Sequence, residues 1–249
     1  MGIGDQLMAA GEARALHERI GRRVVIVDRH NRPQWSDLWD GLPYILRQHE
    51  PGAARLVNAP GTRPYISAKA ATRWCWRPYE PQPAEIVFTP EELAFAEKYR
   101  GMVLVEPNVK AQAHTNKAWV FRRWEALLEH PLLAGVRFVQ CGPRGVQRVH
   151  RAAFVETATF REATAVLSVC RAFAGTEGAL HHAAAAVGVP AVVLWSEFID
   201  PTVTGYPQHR NLRHAGKACG SRQQCAGCIE SMLRISVDEV AANLKDVLT

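Results

Sequence analysis

Residues 174–195, AGTEGALHHAAAAVGVPAVVLW, decide the fold. They read as the end of a strand, a tight turn at Gly175-Thr176-Glu177-Gly178, a short Ala-rich helix over 178–187, a second turn and a buried strand over 190–195. A helix start leaves backbone N–H groups without intrahelical partners, and its dipole end is positive. Thr176 suits the N-cap, and Gly178 has no Cβ to keep an anion from the backbone. A phosphate is the ligand such a turn accommodates best. His181 and His182 follow at the edge of the first turn, where a ring can reach the same ligand. The same residues also make an ordinary capped helix with nothing bound, and Glu177 suits the hydroxyls of a ribose better than a bare phosphate.

Outward from this stretch, strands and helices alternate. Strand Met102–Glu106 leads through a polar loop, 107–116, to a helix over Val120–Glu129 and a strand over Val136–Cys141. A weaker strand lies near Val155, a capping box at Thr159–Glu162 opens a helix over 160–170, and a strand spans 172–175. A further capping box, Ser236-Val237-Asp238-Glu239, opens a C-terminal helix. Such alternation predicts an α/β protein with a doubly wound parallel sheet, whose ligands sit beyond the carboxyl ends of the strands. Those ends are Glu106–Asn116, Cys141–Gly145, Gly175–Gly178 and Trp195–Asp200.

Residues 1–100 are less regular. Helical spacing over 5–20 ends at Gly21, and Val24–Val27 reads as a buried strand. Residues 29–52 read as loop with a short helix, and Arg55–Asn58 and Ile86–Phe88 as two more strands. Between these strands, residues 59–84 hold five prolines. Thr89-Pro90-Glu91-Glu92 starts a helix running to about Tyr99, and 89–101 is the candidate hinge between a lobe of 1–100 and a lobe of 101–249.

The chain has 249 residues, 47% hydrophobic and 22% charged, an ordinary globular composition. No apolar run approaches the length of a membrane span, and the N-terminus has no signal-peptide pattern, so a cytoplasmic location is expected. The net charge of +6 is spread along the chain, which suits a small acidic ligand or a peripheral contact with an anionic membrane face at least as well as nucleic acid, and leaves nucleic acid open as a partner. Six cysteines stand at 75, 141, 170, 219, 225 and 228. The first three lie in apolar or aromatic settings and read as core. Cys219, Cys225 and Cys228 form C-x5-C-x2-C, whose second half has metal-ligand spacing; His214 or His209 is a candidate fourth ligand, and a reduced cluster tying down a loop is the alternative. Trp35, Trp39, Trp74 and Trp76 suit a small core or a stacking surface.

Two other patterns carry chemistry. Gly2-Ile3-Gly4-Asp5 precedes the first helix, so Asp5 is either a general base over a crevice or a simple cap. Lys117, in Asn116-Lys117-Ala118-Trp119, is a point charge at a strand-end loop, suited to a diphosphate or merely solvated.

In order and spacing these pieces resemble glycosyltransferase family 9, the heptosyltransferase family of lipopolysaccharide synthesis. Gly2-Ile3-Gly4-Asp5 matches the family's G-x-G-D turn, and Lys117-Ala118-Trp119 its K-x-W motif. Val139-Gln140-Cys141-Gly142 matches its strand ending in Gly. Residues 176–185, TEGALHHAAA, match its D-T-G-x-x-H-x-A-A-A, and Cys219 to Cys228 resembles its Cys-rich tail. The resemblance covers 101–249 well and 1–100 thinly. It implies a GT-B fold of two Rossmann-like lobes with a reduced N-terminal lobe on the acceptor side. It also implies an inverting transfer from a nucleotide-diphosphate sugar to an acceptor hydroxyl, with no metal required for catalysis. Asp5 would be the catalytic base and Lys117 would hold the donor diphosphate. The N–H groups of Gly178 and Ala179 would cradle the phosphates, with Thr176 or Glu177 near the donor sugar or ribose. Gly4, Gln140, Gly142, His181 and His182 complete the expected donor site. Thr176 and Glu177 stand where the family has Asp and Thr, which leaves the donor sugar open. A saccharide or lipopolysaccharide, a protein side chain and a nucleic-acid base all remain as acceptors.

Overall fold

The computed structural model describes residues 2–110 and 116–249. Its larger sheet has six strands, all parallel: β6 (Val103–Glu106), β7 (Phe138–Gly142), β8 (Ala152–Glu156), β9 (Ala172–Thr176), β10 (Ala191–Trp195) and β11 (Arg210–Arg213), in the order β11-β10-β9-β6-β7-β8. Every residue of β9 and β10 is buried. Helices cover both faces of a parallel sheet, so its central strands are apolar throughout rather than alternating. The winding reverses between β6 and β9, which are neighbours with Glu106 beside Gly175. A crevice forms at such a switch point because successive connections leave on opposite faces.

A second parallel sheet, order β2-β1-β3, joins β1 (Val24–Val27), β2 (Ile45–Leu46) and β3 (Ala54–Val57). An antiparallel hairpin of β4 (Ile66–Lys69) and β5 (Trp74–Trp76) follows. The helices are α1 (Ile3–Ile20), α2 (Pro90–Glu97), α3 (Phe121–Leu128), α4 (Phe160–Ser168), α5 (Ala179–Ala186), α6 (Pro201–Thr204), α7 (Ala226–Arg234) and α8 (Val237–Leu248). Of the four tryptophans noted at the start of the chain, Trp39 is core, whereas Trp35, Trp74 and Trp76 are only partly buried.

Helix α1 packs against α5, and this joins the first part of the chain to the larger sheet. The close approach requires Gly4: a Cβ there would lie 2.9 Å from His182 Cδ2. Buried Arg161 makes a second join. Its guanidinium binds the Glu92 carboxylate at 2.6 and 2.7 Å and donates to Asp37 O and Val87 O, both at 2.7 Å. The Arg161 hydrogen bonds hold the Glu92 carboxyl below its usual range.

The expected strand at Ile86–Phe88 does not form. Val87 O is taken by the Arg161 guanidinium instead of a neighbouring strand. The helix after Thr89 has its full capping box but ends at Glu97, short of Tyr99. Gly4 and Asp5 lie inside the first turn of α1 rather than in a turn before it; Gly2 occupies the N-cap. Among the described residues, no helix is long and apolar enough to cross a membrane.

Candidate active site

At the switch point, β9 ends in Thr176 and α5 begins at Ala179. Thr176 is therefore the last residue of the strand and not the helix cap; Gly178 takes the N-cap position. Lys117 forms an ion pair with Glu177. Its ammonium also lies 4.8 Å from the centre of the Phe198 ring. Burial works against the charged form of Glu177, but the Lys117 ammonium and its hydrogen bond hold the carboxyl below its usual range. A fixed cation thus stands at the positive end of a helix.

This pair lines a cleft of about 710 Å³, the size of a small-molecule site. Gly4 and Asp5 of α1, Glu106 of β6, Gly142 of β7, residues 176–180 and His182 share its wall. Asp5 accepts a hydrogen bond from the Tyr65 hydroxyl. Burial, then the Asp5 charge, push the Tyr65 hydroxyl pKa up, so Tyr65 stays a neutral donor that orients the carboxylate. A second cavity of about 440 Å³ opens from the same point. It is lined by Asp5, Tyr65, Trp74, Trp76, Phe198 and Lys117 with Lys110 and Arg222 at its basic side. Trp74 and Trp76 stack at 6.1 Å, and the Phe198 ring meets Trp76 edge-on at 5.5 Å. Asp5 and Lys117 belong to both cavities.

Of the expected site residues, Asp5, Gly4, Lys117, Gly142, Thr176, Glu177, Gly178, Ala179 and His182 converge on the cleft. Three of the expected groups already have hydrogen-bond partners within the protein. Gln140 spends its side-chain amide on its own loop: Nε2 donates to Gln147 O at 2.8 Å, and Oε1 accepts from Val149 N–H at 2.9 Å. Buried His181 does not line the cleft. Its Nδ1 accepts from Gly178 N–H at 3.0 Å, and its Nε2 lies 3.1 Å from Thr204 O. The Gly178 N–H is occupied by the same contact. His182 faces the cleft with Nδ1 on the Tyr206 hydroxyl at 3.0 Å, and burial holds it neutral, its pKa well below the usual value.

Sequence reasoning missed Tyr65 and Phe198, which come from distant irregular segments with no local pattern; Trp76, noted there as core or a stacking surface, comes from β5. It placed Glu106 at a strand end near the crevice but gave it no role. There it is half-buried on the cleft wall, and desolvation raises its pKa to about 8 despite the 2.8 Å hydrogen bond from Asn108 N–H. The signal available was an acidic residue closing an apolar strand.

Cys219, Cys225 and Cys228 gather as their spacing suggests, with Cys219 Sγ 3.9 Å from Cys225 Sγ and 3.3 Å from Cys228 Sγ. All three sulfurs lie within 4.8 Å of one another, close enough to share a soft metal ion. Neither histidine joins them among the described residues. His214 binds Glu239 at 2.8 Å, and His209 packs against Tyr206 at 5.4 Å. Cys141 and Cys170 are buried, and Cys75 lies partly exposed in the hairpin.

The fold is α/β and GT-B-like, with a cleft at the switch point of a parallel sheet. No protein-family model and no curated protein matches the sequence. Solved structures do match. A family 9 glycosyltransferase from Veillonella parvula DSM 2008 aligns over 100% of this chain and 94% of its own, at 12% identity and a TM-score of 0.67. The iron-containing dodecameric glycosyltransferase TibC of enterotoxigenic E. coli H10407 aligns over 99% of this chain and 74% of its own, at 12% identity and a TM-score of 0.63. E. coli ADP-heptose lipopolysaccharide heptosyltransferase II aligns over 66% of this chain, at 17% identity and a TM-score of 0.51; the chain spans 53% of that protein. The fold is therefore that of the family 9 glycosyltransferase structures.

Proposed function

We propose that the protein is a glycosyltransferase that moves a sugar from a nucleotide-diphosphate donor to an acceptor hydroxyl with inversion. One observation carries this reading: the Lys117 ammonium stands at the start of α5, at the switch point, in a cleft that also holds Asp5. The donor diphosphate would take the Lys117 ammonium and the free N–H groups of the first turn from Ala179 onward. Glu177, released from the lysine, would accept hydroxyls of the donor sugar or ribose. The acceptor would enter through the aromatic cavity, where Trp76 and Phe198 offer faces for a sugar ring and Asp5 is within reach.

In this scheme Asp5 removes the proton from the acceptor hydroxyl as its oxygen attacks the anomeric carbon. The bond to the diphosphate breaks on the opposite side, and the leaving charge develops beside Lys117 and the helix end. Tyr65 fixes which carboxylate oxygen of Asp5 faces the acceptor. Residues 1–100 would form the acceptor side and 101–249 the donor side. A TibC structure in complex with ADP-D-beta-D-heptose supports an adenine nucleotide as the first donor to try. The iron in TibC supports a soft metal ion, of the zinc or iron class, at Cys219, Cys225 and Cys228. Such an ion would tie down the loop, and no catalytic step passes through it.

The test is a thermal-shift screen with ADP-, UDP-, GDP- and CMP-sugars, followed by transfer and donor-hydrolysis assays of wild type and Asp5→Asn. A bound donor raises the melting temperature by mass action. The scheme expects one donor to stabilise both proteins equally and Asp5→Asn to lose about 10²–10⁴ of the turnover, the usual contribution of a general base. Donor binding without turnover by the wild type would make it a nucleotide-sugar-binding protein instead. If none of the donors binds, the reading falls.

A further inference from the structure

The loop spanning residues 219–225 is stitched to three parts of the cleft at once. On one side, Cys219 N–H and Gly220 N–H donate to Glu197 O at 2.8 Å and Phe198 O at 3.0 Å. On the other, Trp74 N–H donates to Gly220 O and Arg222 N–H to Thr72 O, both at 2.8 Å. The third tie is one side chain. Asn116 Nδ2 donates to Ser221 O at 3.3 Å and to Gln223 O at 2.7 Å, and Asn116 Oδ1 accepts from Cys225 N–H at 2.8 Å. Asn116 is 1% exposed, and its three partners are all backbone groups of this loop.

The next residue is Lys117. A lysine ammonium sits on a long flexible stem, so the backbone it springs from must be fixed if the charge is to be placed well. Phe198, whose ring lies under that ammonium, has its carbonyl held by Gly220 N–H and by Trp76 Nε1–H at 2.9 Å. Loop 219–225 therefore holds both the root of the lysine and the aromatic surface against which its tip rests.

We propose that Asn116 is a positioning residue that acts through Lys117: by clamping loop 219–225 it fixes the backbone from which the ammonium projects toward the donor diphosphate. The proposal rests on Lys117 as the diphosphate cation. Its loss would leave Lys117 charged but misplaced, and a displacement of about 1 Å can cost a hundredfold where charge must meet charge.

A double-mutant cycle tests it. The nucleoside diphosphate that binds tightest among ADP, UDP, GDP and CDP is titrated, with its monophosphate, against wild type, Asn116→Ala, Lys117→Ala and the double variant. The diphosphate-over-monophosphate preference is the readout, because it isolates the contact to the second phosphate and does not depend on the folded fraction. Lys117→Ala should reduce the preference roughly tenfold, as expected for a lost charge-assisted hydrogen bond. Asn116→Ala should reduce it about threefold or more, and the double variant should match Lys117→Ala alone. A merely structural asparagine would weaken both nucleotides alike or add its effect in the double variant, and either result overturns the proposal. If Lys117→Ala leaves the preference unchanged, the diphosphate reading itself fails. Should Asn116→Ala not fold, the isosteric Asn116→Asp, which keeps the acceptor for Cys225 N–H and loses both donations, decides by the same criteria.

Discussion

Removing the charge of Glu177 should tighten the binding of a free nucleoside diphosphate while weakening the fold. In the structure the carboxylate neutralises Lys117 in a largely buried pair, with side-chain exposures of 11% and 21%. A diphosphate that takes the other side of the ammonium would place its nearest charge about 6 Å from the carboxylate. At an effective dielectric of about 20, like charges at that distance repel by about 3 kcal/mol. Glu177→Gln abolishes this repulsion and keeps a side-chain oxygen for the lysine. The diphosphate affinity should therefore rise by roughly 100-fold. Breaking a buried pair costs about 3–5 kcal/mol, and the partial exposure of Lys117 brings the expected loss of stability to about 1–3 kcal/mol. Calorimetric titration of wild type and variant with the same diphosphate measures the first effect, and denaturant unfolding the second. Equal or weaker diphosphate binding by a folded Glu177→Gln protein would refute the argument, because the carboxylate would then not face the bound phosphate.

Glu106 and the buried histidines give the protein a stability maximum with definable flanks. A carboxyl raised to about 8 in the folded state and ordinary in the unfolded state keeps its proton longer when folded, so its contribution is lost as pH rises from about 4.5 to 8. Glu106→Gln should flatten the alkaline side of a melting-temperature profile, and a profile unchanged between pH 5 and 9 would contradict the desolvation of this group. His181, His182 and His209 titrate below their usual range, chiefly through burial and with His209 at about 3, so the unfolded chain binds more protons below pH 6.5 and stability falls with acidity there. Proton uptake on unfolding at pH 5, measured in two buffers of different ionisation enthalpy, checks the sign. Gly220, at φ +61°, would drive a Cβ into the Trp74 backbone, so Gly220→Ala should cost more than about 1 kcal/mol and increase protease cleavage within the 66–76 hairpin.

The sheet was largely legible because a parallel strand covered on both faces must be apolar throughout. Val24–Val27 and Ala191–Trp195 could hardly be anything else in a chain of this composition. The capping pattern at Thr89 was equally plain, since that chemistry is contained within four residues. Ile86–Phe88 misled because its strand-like composition says nothing about a partner, and the partner is a guanidinium about 70 residues further along the chain. The functional residues divide in the same way. Asp5, Lys117 and the turn at 176–179 stood out because each belongs to a local motif at an element boundary. Gln140 and His181 shared those motifs, yet their ring and amide atoms were claimed by neighbours that no spacing rule reveals.

Sequence alone thus determined the α/β alternation, the helix start at the switch point and the clustering of three thiols, all of which depend on periodicity or short spacing. Only the folded chain decided that Lys117 meets Glu177, that Tyr65 holds Asp5, and that Asn116 grips a loop about 105 residues away. Those contacts arise where the sheet reverses direction and brings distant loops together, a consequence of strand order that local sequence does not encode.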